Sequence, residues 1–317
     1  MLQAEVVWLV GFGVRVRRRE PLDPLECVAC LVYERLQAVA GDRAREARVL
    51  AKAAELVARW PSRTSVFVES YDYVERLLGV HDLYREKREE LSHAVLEALG
   101  ALDLAGMEDW EIFSLMAAAN GVDIPMPGYR PGLEKLLRGL RDRAAWLGLG
   151  EGDVEKLLGA SERIVVVLDN AGEAVLDIAA AGELARRAGK PLYLVARGEP
   201  YEVDVTAREA VELAARLEPG ARVVSTGGRY PVFHPRASQE SRSLLADGSL
   251  VLVKGIANLE AFLDYPDAAG PGASLVFMLR AKCGPLSRFF RVGHAEPVVA
   301  SAEWLLERLR EWRSPGG

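Results

Sequence analysis

Residues 163–177 read Arg-Ile-Val-Val-Val-Leu-Asp-Asn-Ala-Gly-Glu-Ala-Val-Leu-Asp. Residues 164–168 are all apolar and mostly β-branched, which is typical of a strand buried on both faces of a parallel sheet. Residues 171–189 are rich in alanine, contain no proline and space their larger apolar residues as a helix does. Asp169 and Asn170 therefore fall at the carboxyl end of a strand, where open α/β sheets bind their ligands.

Asp169 and Asn170 offer oxygen donors of the kind that hard divalent cations prefer. The helix that begins behind them favours an anion near its N-terminus. This strand end therefore predicts a site for a metal ion and a phosphate group. The alternative interpretation is that one of the two side chains only caps the following helix.

Length and composition describe a globular chain with a sizeable core. With 317 residues, of which 50% are hydrophobic, the chain is long enough for one large domain or two closely packed ones. The formal net charge is −6, and no long basic run occurs outside residues 15–19. This charge balance argues against a nucleic-acid partner and leaves small charged metabolites open as ligands.

The sequence also predicts the compartment. No apolar stretch approaches the roughly 20 residues needed to span a bilayer. Residues 5–12 are apolar, but the positive cluster follows them, which is the reverse of the order in a signal peptide. Three cysteines, two of them in one Cys-x-x-Cys, form no disulfide framework and fit a reducing compartment. We therefore expect a cytoplasmic protein without membrane attachment.

The first half of the chain shows almost no strand signal. Residues 14–17 alternate in polarity, which suggests a short edge strand or an extended arm. Asp23 and Pro24 suit an N-cap and a first helical position. Helical spacing then predicts helices over residues 25–39, 43–59, 65–78, 84–102, 108–119, 131–146 and 151–159.

The second half alternates strands and helices, as parallel α/β units do. Predicted strands cover residues 164–168, 191–196, 222–225, 249–253 and 274–279, and a helix over 296–312 closes the chain. We divide the chain into an N-terminal extension (1–20), a helical bundle domain (21–160) and an α/β domain (161–317). The predicted fold class is α/β, with a mostly parallel sheet and an N-terminal all-helical region.

Polar residues follow the predicted strands, and parallel strands bring such ends to one edge of a sheet. They are Asp169, Asn170, Asp204, Lys254 and Asn258, with Arg197, Arg229 and Lys282 nearby. Two carboxylates, an amide and several cations at one edge suit metal-assisted hydrolysis of a phosphoryl group. Simpler interpretations stay open, because the arginines could be solvated loop residues and Asp204 could cap a helix beginning at Val205.

Four motifs stand out by their order and context. They are Leu-Asp-Asn-Ala-Gly-Glu at 168–173 with Asp177, Arg-Gly-x-Pro to Asp-Val-Thr at 197–206, Lys-Gly-x-x-Asn at 254–258 with Glu260, and Cys-x-x-Cys-Leu at 27–31. Ala-Asn-Gly-Val-Asp at 119–123 accompanies them. Over about residues 22–290 the chain resembles the metal-dependent, ARMT-like damage-control phosphatases, a family formerly catalogued as a domain of unknown function.

This resemblance implies a helical bundle joined to a Rossmann-like α/β/α core. It also implies hydrolysis of phosphate monoesters with a divalent metal, often manganese, cobalt or nickel, with magnesium as a further possibility. The metal ligands implied by the match are Asp169, Asn170 and Asp204, and Lys254 would hold the phosphate as a fourth catalytic residue. The expected substrate-binding residues are Asn120, Asp123, Arg197, Thr226, Gly227, Arg229, Asn258 and Lys282.

The chain departs from the family pattern in two places. Val203 stands where family members commonly carry an asparagine, and residues 225–229, Ser-Thr-Gly-Gly-Arg, replace a glycine loop that contains Ser-Asp. The expected metal ligands survive both changes. Arg229, Tyr230 and His234 could form a substrate pocket unlike that of relatives, so altered or reduced activity is also open.

Other site types find less support in the sequence. Cys27 and Cys30 could hold zinc with Cys283 and His294, or they could simply be buried small residues of an apolar helix. The chain has no G-x-S-x-G elbow, no Walker A loop and no G-x-G-x-x-G after a strand. Ala171 occupies the position where an aspartyl-phosphate phosphatase usually carries its second aspartate, which favours a metal-bound water as nucleophile.

Three hypotheses of function follow. The first is a cytoplasmic, metal-dependent phosphatase that acts on small phosphorylated metabolites, such as sugar phosphates or damaged cofactor intermediates. The second is an S-adenosylmethionine-dependent carboxyl methyltransferase, although the glycine-rich first turn is lacking. The third is a non-catalytic protein that binds a metal and a phosphometabolite. In each case the early helices could cover the edge of the sheet and select the ligand, and the oligomeric state stays open.

Overall fold

The computed structural model describes residues 6–8, 15–17, 22, 24–123 and 142–313. The strands are β1 Val6–Trp8, β2 Arg15–Arg17, β3 Ala145–Leu147, β4 Arg163–Val167, β5 Leu192–Ala196, β6 Arg222–Ser225, β7 Ser249–Lys254, β8 Ser274–Arg280 and β9 Pro297–Ser301. The helices are α1 Pro24–Gln37, α2 Arg43–Arg59, α3 Arg63–Leu78, α4 Arg85–Leu99, α5 Asp109–Ala119, α6 Val154–Ala160, α7 Ala171–Ala188, α8 Ala207–Leu217, α9 Gln239–Ser243, α10 Ile256–Asp264, α11 Gly284–Phe290 and α12 Ala302–Arg313.

The predicted α/β fold class with a mostly parallel sheet is confirmed. Seven strands form one sheet in the order β3-β9-β8-β7-β4-β5-β6. β4 to β8 are parallel to one another, and β9 pairs antiparallel with β8. β1 and β2 form a separate antiparallel pair, so the short strand expected at 14–17 is present.

The order of the strands creates a switch point beside the central strand β4. From β4 the chain moves outward through β5 to β6, and it then returns to the other side of β4 to form β7. The segments after β4 and β7 therefore diverge to opposite sides of the sheet and leave a crevice between them. Asp169 and Gly255 lie at the two sides of this crevice.

Helices cover both faces of the sheet. Alternate residues of β4 divide between two cores, since Ile164 and Val166 pack toward α4, α5, α7 and α8, whereas Val165 and Val167 pack toward α10, α11 and α12. This double burial explains the unbroken apolar run of the strand. α3 packs against α10 and so joins the N-terminal helices to the α/β core.

The N-terminal helices begin and end where the local sequence supplies caps. The side chain of Asp42 accepts hydrogen bonds from the backbone N–H groups of Ala44 and Arg45 at the start of α2. Ser62 caps α3 in the same way, and Gly79 ends that helix in the left-handed conformation. Within residues 24–123 and 142–313, no helix combines the length and the apolar character needed to cross a bilayer.

Two sequence predictions of helices are wrong or only partly testable. The helix expected over 296–312 is a strand, β9, followed by α12, because residues 297–301 pair with β8 in the sheet. The helix expected over 131–146 lies mostly outside the described residues, and its last two residues belong to β3. β3 pairs with β9, so the sheet also draws a strand from the region before residue 160. The domain division at 160 stays a prediction.

Candidate functional site

A cavity of about 490 Å³ lies between helices α1 and α3 and the carboxyl edge of the sheet. The chemistry-bearing residues on its wall are Glu26, Cys27, Cys30, Glu34, Asp123, Asp169, Asn170, Arg197, Glu202, Asp204, Glu260, Lys282 and Cys283. The early helices α1 and α3 therefore cover the edge of the sheet, which the sequence analysis had given as a possibility. Five of the predicted site residues gather with Asp169 at this cavity, namely Asn170, Asp204, Arg197, Asp123 and Lys282.

The backbone after β4 brings Asn170 and Asp204 side by side. Residues 169–171 pair with the segment 203–205, with hydrogen bonds of 2.8 Å from Val205 N to Asp169 O and from Ala171 N to Val203 O. Asn170 occupies the N-cap position of α7, but its side chain makes no capping hydrogen bond. Its buried Nδ2 has no hydrogen-bond partner. The capping interpretation is therefore wrong for Asn170.

Asp204 also does not cap a helix. α8 begins at Ala207, and Thr206 caps it by accepting a hydrogen bond from Glu209 N, while Glu209 reaches back to Thr206 N. The carboxylate of Asp204 instead accepts a hydrogen bond from Arg197 Nε. The Arg197 guanidinium lies 4.5 Å from the centre of the Tyr201 ring. These contacts hold both charged groups at the cavity wall.

Burial disfavours the ionised forms of the two carboxylates at this wall. Burial raises the pKa of Asp169 well above its ordinary value, and the negative charges of Asp204 and Glu173 raise it further. Burial raises the pKa of Asp204 to about 6, although the neighbouring Arg197 guanidinium opposes that rise. A divalent cation between the two carboxylates would compensate for this repulsion.

The donors at this wall suit a hard divalent cation. Within the described ranges, no group of three or more His, Cys, Asp or Glu residues is placed to hold a metal ion. The candidate set differs in composition, because it joins two carboxylates to the side-chain amide of Asn170, whose oxygen is the atom that could bind a cation. Gly255, with a φ of 78°, approaches the Asp169 carboxylate so closely that a Cβ there would collide with it. Asp169, Asn170 and Asp204 therefore fit the oxygen-ligand chemistry of such a cation.

Lys282 supplies a second cation on the cavity wall. Its Nζ lies 2.6 Å from Asp123 Oδ2, and the side chain is 1% exposed. Its charge lowers the pKa of Asp169 and so partly opposes the effects of burial and of the neighbouring acids. The cavity thus combines a carboxylate pair with two buried cations, Arg197 and Lys282.

Three predicted site residues lie behind the cavity wall. Asn120, Lys254 and Asn258 are buried, and none of them lines the cavity. Asn258 Nδ2 donates to the backbone oxygens of Leu168, at 3.2 Å, and of Lys254, at 2.8 Å. Asn258 therefore ties the ends of β4 and β7 together.

The predicted residues after β6 are also away from the cavity. Thr226 Oγ1 donates to the backbone oxygen of Gly228, and Gly227 adopts a φ of 83° within the same loop. Arg229 forms ion pairs with Asp72 and Glu75 of α3. His234 stacks on Tyr230, with 4.0 Å between the ring centres. Neither Arg229, Tyr230 nor His234 lines the cavity, so the altered pocket expected there is not part of this site.

Sequence reasoning did not identify Glu34 of α1 as a residue of the cavity. Glu34 lies on α1 together with Cys27 and Cys30, at helical spacings of three and four residues, and all three line the cavity. Cys30 Sγ donates to Glu34 Oε1 at 3.4 Å. The spacing of Glu34 from the two cysteines was the one signal that could have placed it on the same face of the helix.

The three cysteines lie at the cavity as one buried and two half-buried thiols, and among the described residues they belong to no group of three or more His, Cys, Asp or Glu placed to hold a metal ion. All three are free, and Cys27 is 8% exposed. Burial raises the pKa of Cys27 to about 12 and that of Cys283 to about 11. His294 Nε2 donates instead to the backbone oxygen of Lys282 at 3.0 Å.

The chain is similar to known proteins in sequence and in fold. The model of the damage-control phosphatase ARMT1-like domain matches residues 24–298. A damage-control phosphatase from Archaeoglobus fulgidus is 28% identical over 237 residues, which cover 73% of this chain and 79% of that protein. The crystal structure of a DUF89 family protein from Pyrococcus horikoshii has a similar fold, with a TM-score of 0.67 at 21% identity, over 86% of this chain and 96% of that one.

Proposed function

The chain belongs to the damage-control phosphatase ARMT1-like domain family, and from this premise we propose that it hydrolyses phosphate monoesters of small metabolites. Sugar phosphates and damaged phosphorylated metabolites are the expected substrates. In this proposal Asp169, Asn170 and Asp204 hold manganese, cobalt, nickel or magnesium. The observation that carries it is the pair of buried carboxylates beside the buried amide of Asn170 at the cavity wall.

The residues around the proposed ligands suit a phosphate group. Lewis acidity is the chemistry that a bound divalent cation supplies at Asp169, Asn170 and Asp204. Arg197 and Lys282 offset the negative charge of the phosphate, because both cations line the same cavity. α7 begins directly behind Asn170, so the positive end of its dipole also favours an anion.

The cover formed by α1 and α3 supports a small organic substrate. Tyr33, Phe67 and Val68 of these helices line the cavity opposite the carboxylates. A cavity of about 490 Å³ is in the range of small-molecule sites. Apolar walls of this kind exclude bulk water and strengthen the electrostatic interactions of the bound ester.

The proposal is tested by adding metals back to metal-stripped protein. An aryl phosphate and a panel of sugar phosphates are incubated with manganese, cobalt, nickel or magnesium. We expect turnover that depends on the metal, and we expect Asp169→Asn to reduce it by about 100-fold or more without unfolding the protein. Asp109→Asn, which changes an acid of α5 outside the cavity, serves as the matched control.

Three outcomes would count against this proposal. Full turnover by Asp169→Asn would remove this residue from the reaction. Calorimetric binding of the metal to the wild-type protein, with no turnover of any ester, would favour the non-catalytic binding protein instead. Stabilisation by S-adenosylmethionine in a melting experiment would favour the methyltransferase.

A further inference from the structure

A buried network of charged and amide side chains lies directly behind Asp169. Lys254, Glu173, Asp177 and Asn120 are each 0% exposed. Lys254 Nζ lies 2.9 Å from Glu173 Oε1 and 3.1 Å from Asp177 Oδ1. Buried charges need such partners, because an unpaired one costs several kcal/mol.

The contacts of Lys254 lie within this buried network, and the residue does not line the cavity. A lysine ammonium group has three N–H donors. Lys254 Nζ donates one of them to the backbone oxygen of Met116, and the same Nζ forms ion pairs with the two carboxylates of α7. The positive charge of Lys254 is therefore directed toward α7, one turn of which carries both Glu173 and Asp177.

Asn120 joins this network to the proposed metal ligand. Its Oδ1 accepts a hydrogen bond of 3.0 Å from the backbone N–H of Arg280, which fixes the orientation of the amide. Its Nδ2 therefore faces the acids, and it donates to Glu173 Oε2 at 2.8 Å and to Asp169 Oδ2 at 3.2 Å. One amide group thus bridges a structural carboxylate and a carboxylate of the cavity wall.

We propose that Glu173, anchored by Lys254, is a positioning residue that acts through Asn120 to orient the carboxylate of Asp169. Glu173 holds one N–H of the Asn120 amide, and the other N–H holds Asp169 Oδ2 in place. The other oxygen of Asp169, Oδ1, stays available to a cation shared with Asn170 and Asp204. This inference rests on the proposed function, since it takes Asp169 as a metal ligand.

The test measures Mn²⁺ binding to metal-stripped protein by calorimetry, together with thermal melting. We expect Glu173→Gln and Asn120→Ala each to weaken Mn²⁺ binding by about 10- to 100-fold while the protein stays folded. Because Glu173 acts through Asn120, the double variant should bind no more weakly than Asn120→Ala alone. Glu183→Gln, on the same helix but paired with Arg186 and Arg187, should bind as the wild type does.

The outcomes separate this inference from the proposed function. Unchanged Mn²⁺ affinity in folded Glu173→Gln, or losses that multiply in the double variant, would overturn the positioning role alone, provided that Asp169→Asn abolishes binding. Absence of Mn²⁺ binding in the wild type would overturn both. If Glu173→Gln fails to fold, the variant Asn120→Ala tests the proposal instead. Unchanged Mn²⁺ affinity in Asn120→Ala would also overturn the positioning role of Glu173.

Discussion

His234 is a buried histidine whose hydrogen bonds require the neutral ring. Its Nδ1 accepts from the backbone N–H of Arg236 at 3.1 Å, so Nε2 carries the proton and faces Ser65 Oγ at 3.2 Å. Burial and the charge of Arg236 lower the pKa of His234 to about 4. Because an unfolded histidine titrates near 6.5, the folded state holds fewer protons between the two values. Stability is therefore full above about pH 6.5, falls as the pH drops from there toward 4, and changes little further below 4.

We expect the titration of His234 to appear as a difference in pH-dependent stability between the wild type and the variant His234→Gln. Between pH 7.5 and pH 4.5 the wild type should lose about 1–2 kcal/mol more unfolding free energy than His234→Gln, which cannot gain a proton at this position. Urea unfolding at both pH values measures the loss. Equal losses in the two proteins would show that His234 does not titrate on unfolding.

The residues of the site differ in how far sequence could predict them. Asp169 and Asn170 were predictable because a buried strand and an immediate helix fix the place of the two residues between them. Arg229 was not, because its partners Asp72 and Glu75 lie more than 150 residues away in α3. The contacts of Lys254 were also not predictable, because its position at a strand end does not show that Glu173 and Asp177 of α7 lie beside it.

Among the secondary-structure elements, α4 and α7 pack so closely that a glycine is required between them. A Cβ on Gly172 would lie 2.6 Å from Val122 Cγ1 and 3.0 Å from the backbone oxygen of Leu91. Because backbone cannot move aside cheaply, Gly172→Ala should lower the unfolding free energy by about 1–3 kcal/mol. Gly159→Ala in α6, where a Cβ meets nothing within 4 Å, should instead raise it by about 0.5–1 kcal/mol. Urea unfolding distinguishes the two, and a fully stable Gly172→Ala would contradict the close packing.

Most helices and strands were predictable from the spacing of apolar residues. The wrong prediction at β9 arose because its pairing depends on residues distant in sequence. The bounds of α2 and β6 match the prediction because Asp42 and the flanking turns mark their ends. β9 was mistaken for the start of a helix because residues 297–301 run into α12 without a glycine or proline between them. Ser301 was the available signal, since its Oγ accepts from Trp304 N at the start of the helix. The pairing of β9 with β8 depends on contacts that no local pattern contains.

At the scale of the whole molecule, buried ion pairs connect the helical region to the α/β core. Arg229, in the loop after β6, lies 2.6 Å from Asp72 and 2.5 Å from Glu75, which is nearly fully buried. Arg229→Met should lower the unfolding free energy by about 3–5 kcal/mol, because it leaves Glu75 without its cation. Arg208→Met, which breaks an exposed pair with Glu212, should change it by less than about 0.5 kcal/mol. Chemical unfolding measures the unfolding free energy of both variants. A loss in Arg229→Met as small as that in Arg208→Met would show that the ion pairs of Arg229 do not stabilise the contact between the two regions.

The cover of the cavity is closed by residues far apart in the chain. Thr64 of α3 donates to Asp264, 200 residues later, and Glu26 of α1 pairs with Arg288, 262 residues later. Ribosomes add about 5–20 residues per second, so the first helices leave the exit tunnel many seconds before these partners are made. During synthesis, α1 and α3 are therefore made well before the residues that they contact in the α/β core. The complete cavity wall therefore forms only after the residues near position 288 have been synthesised.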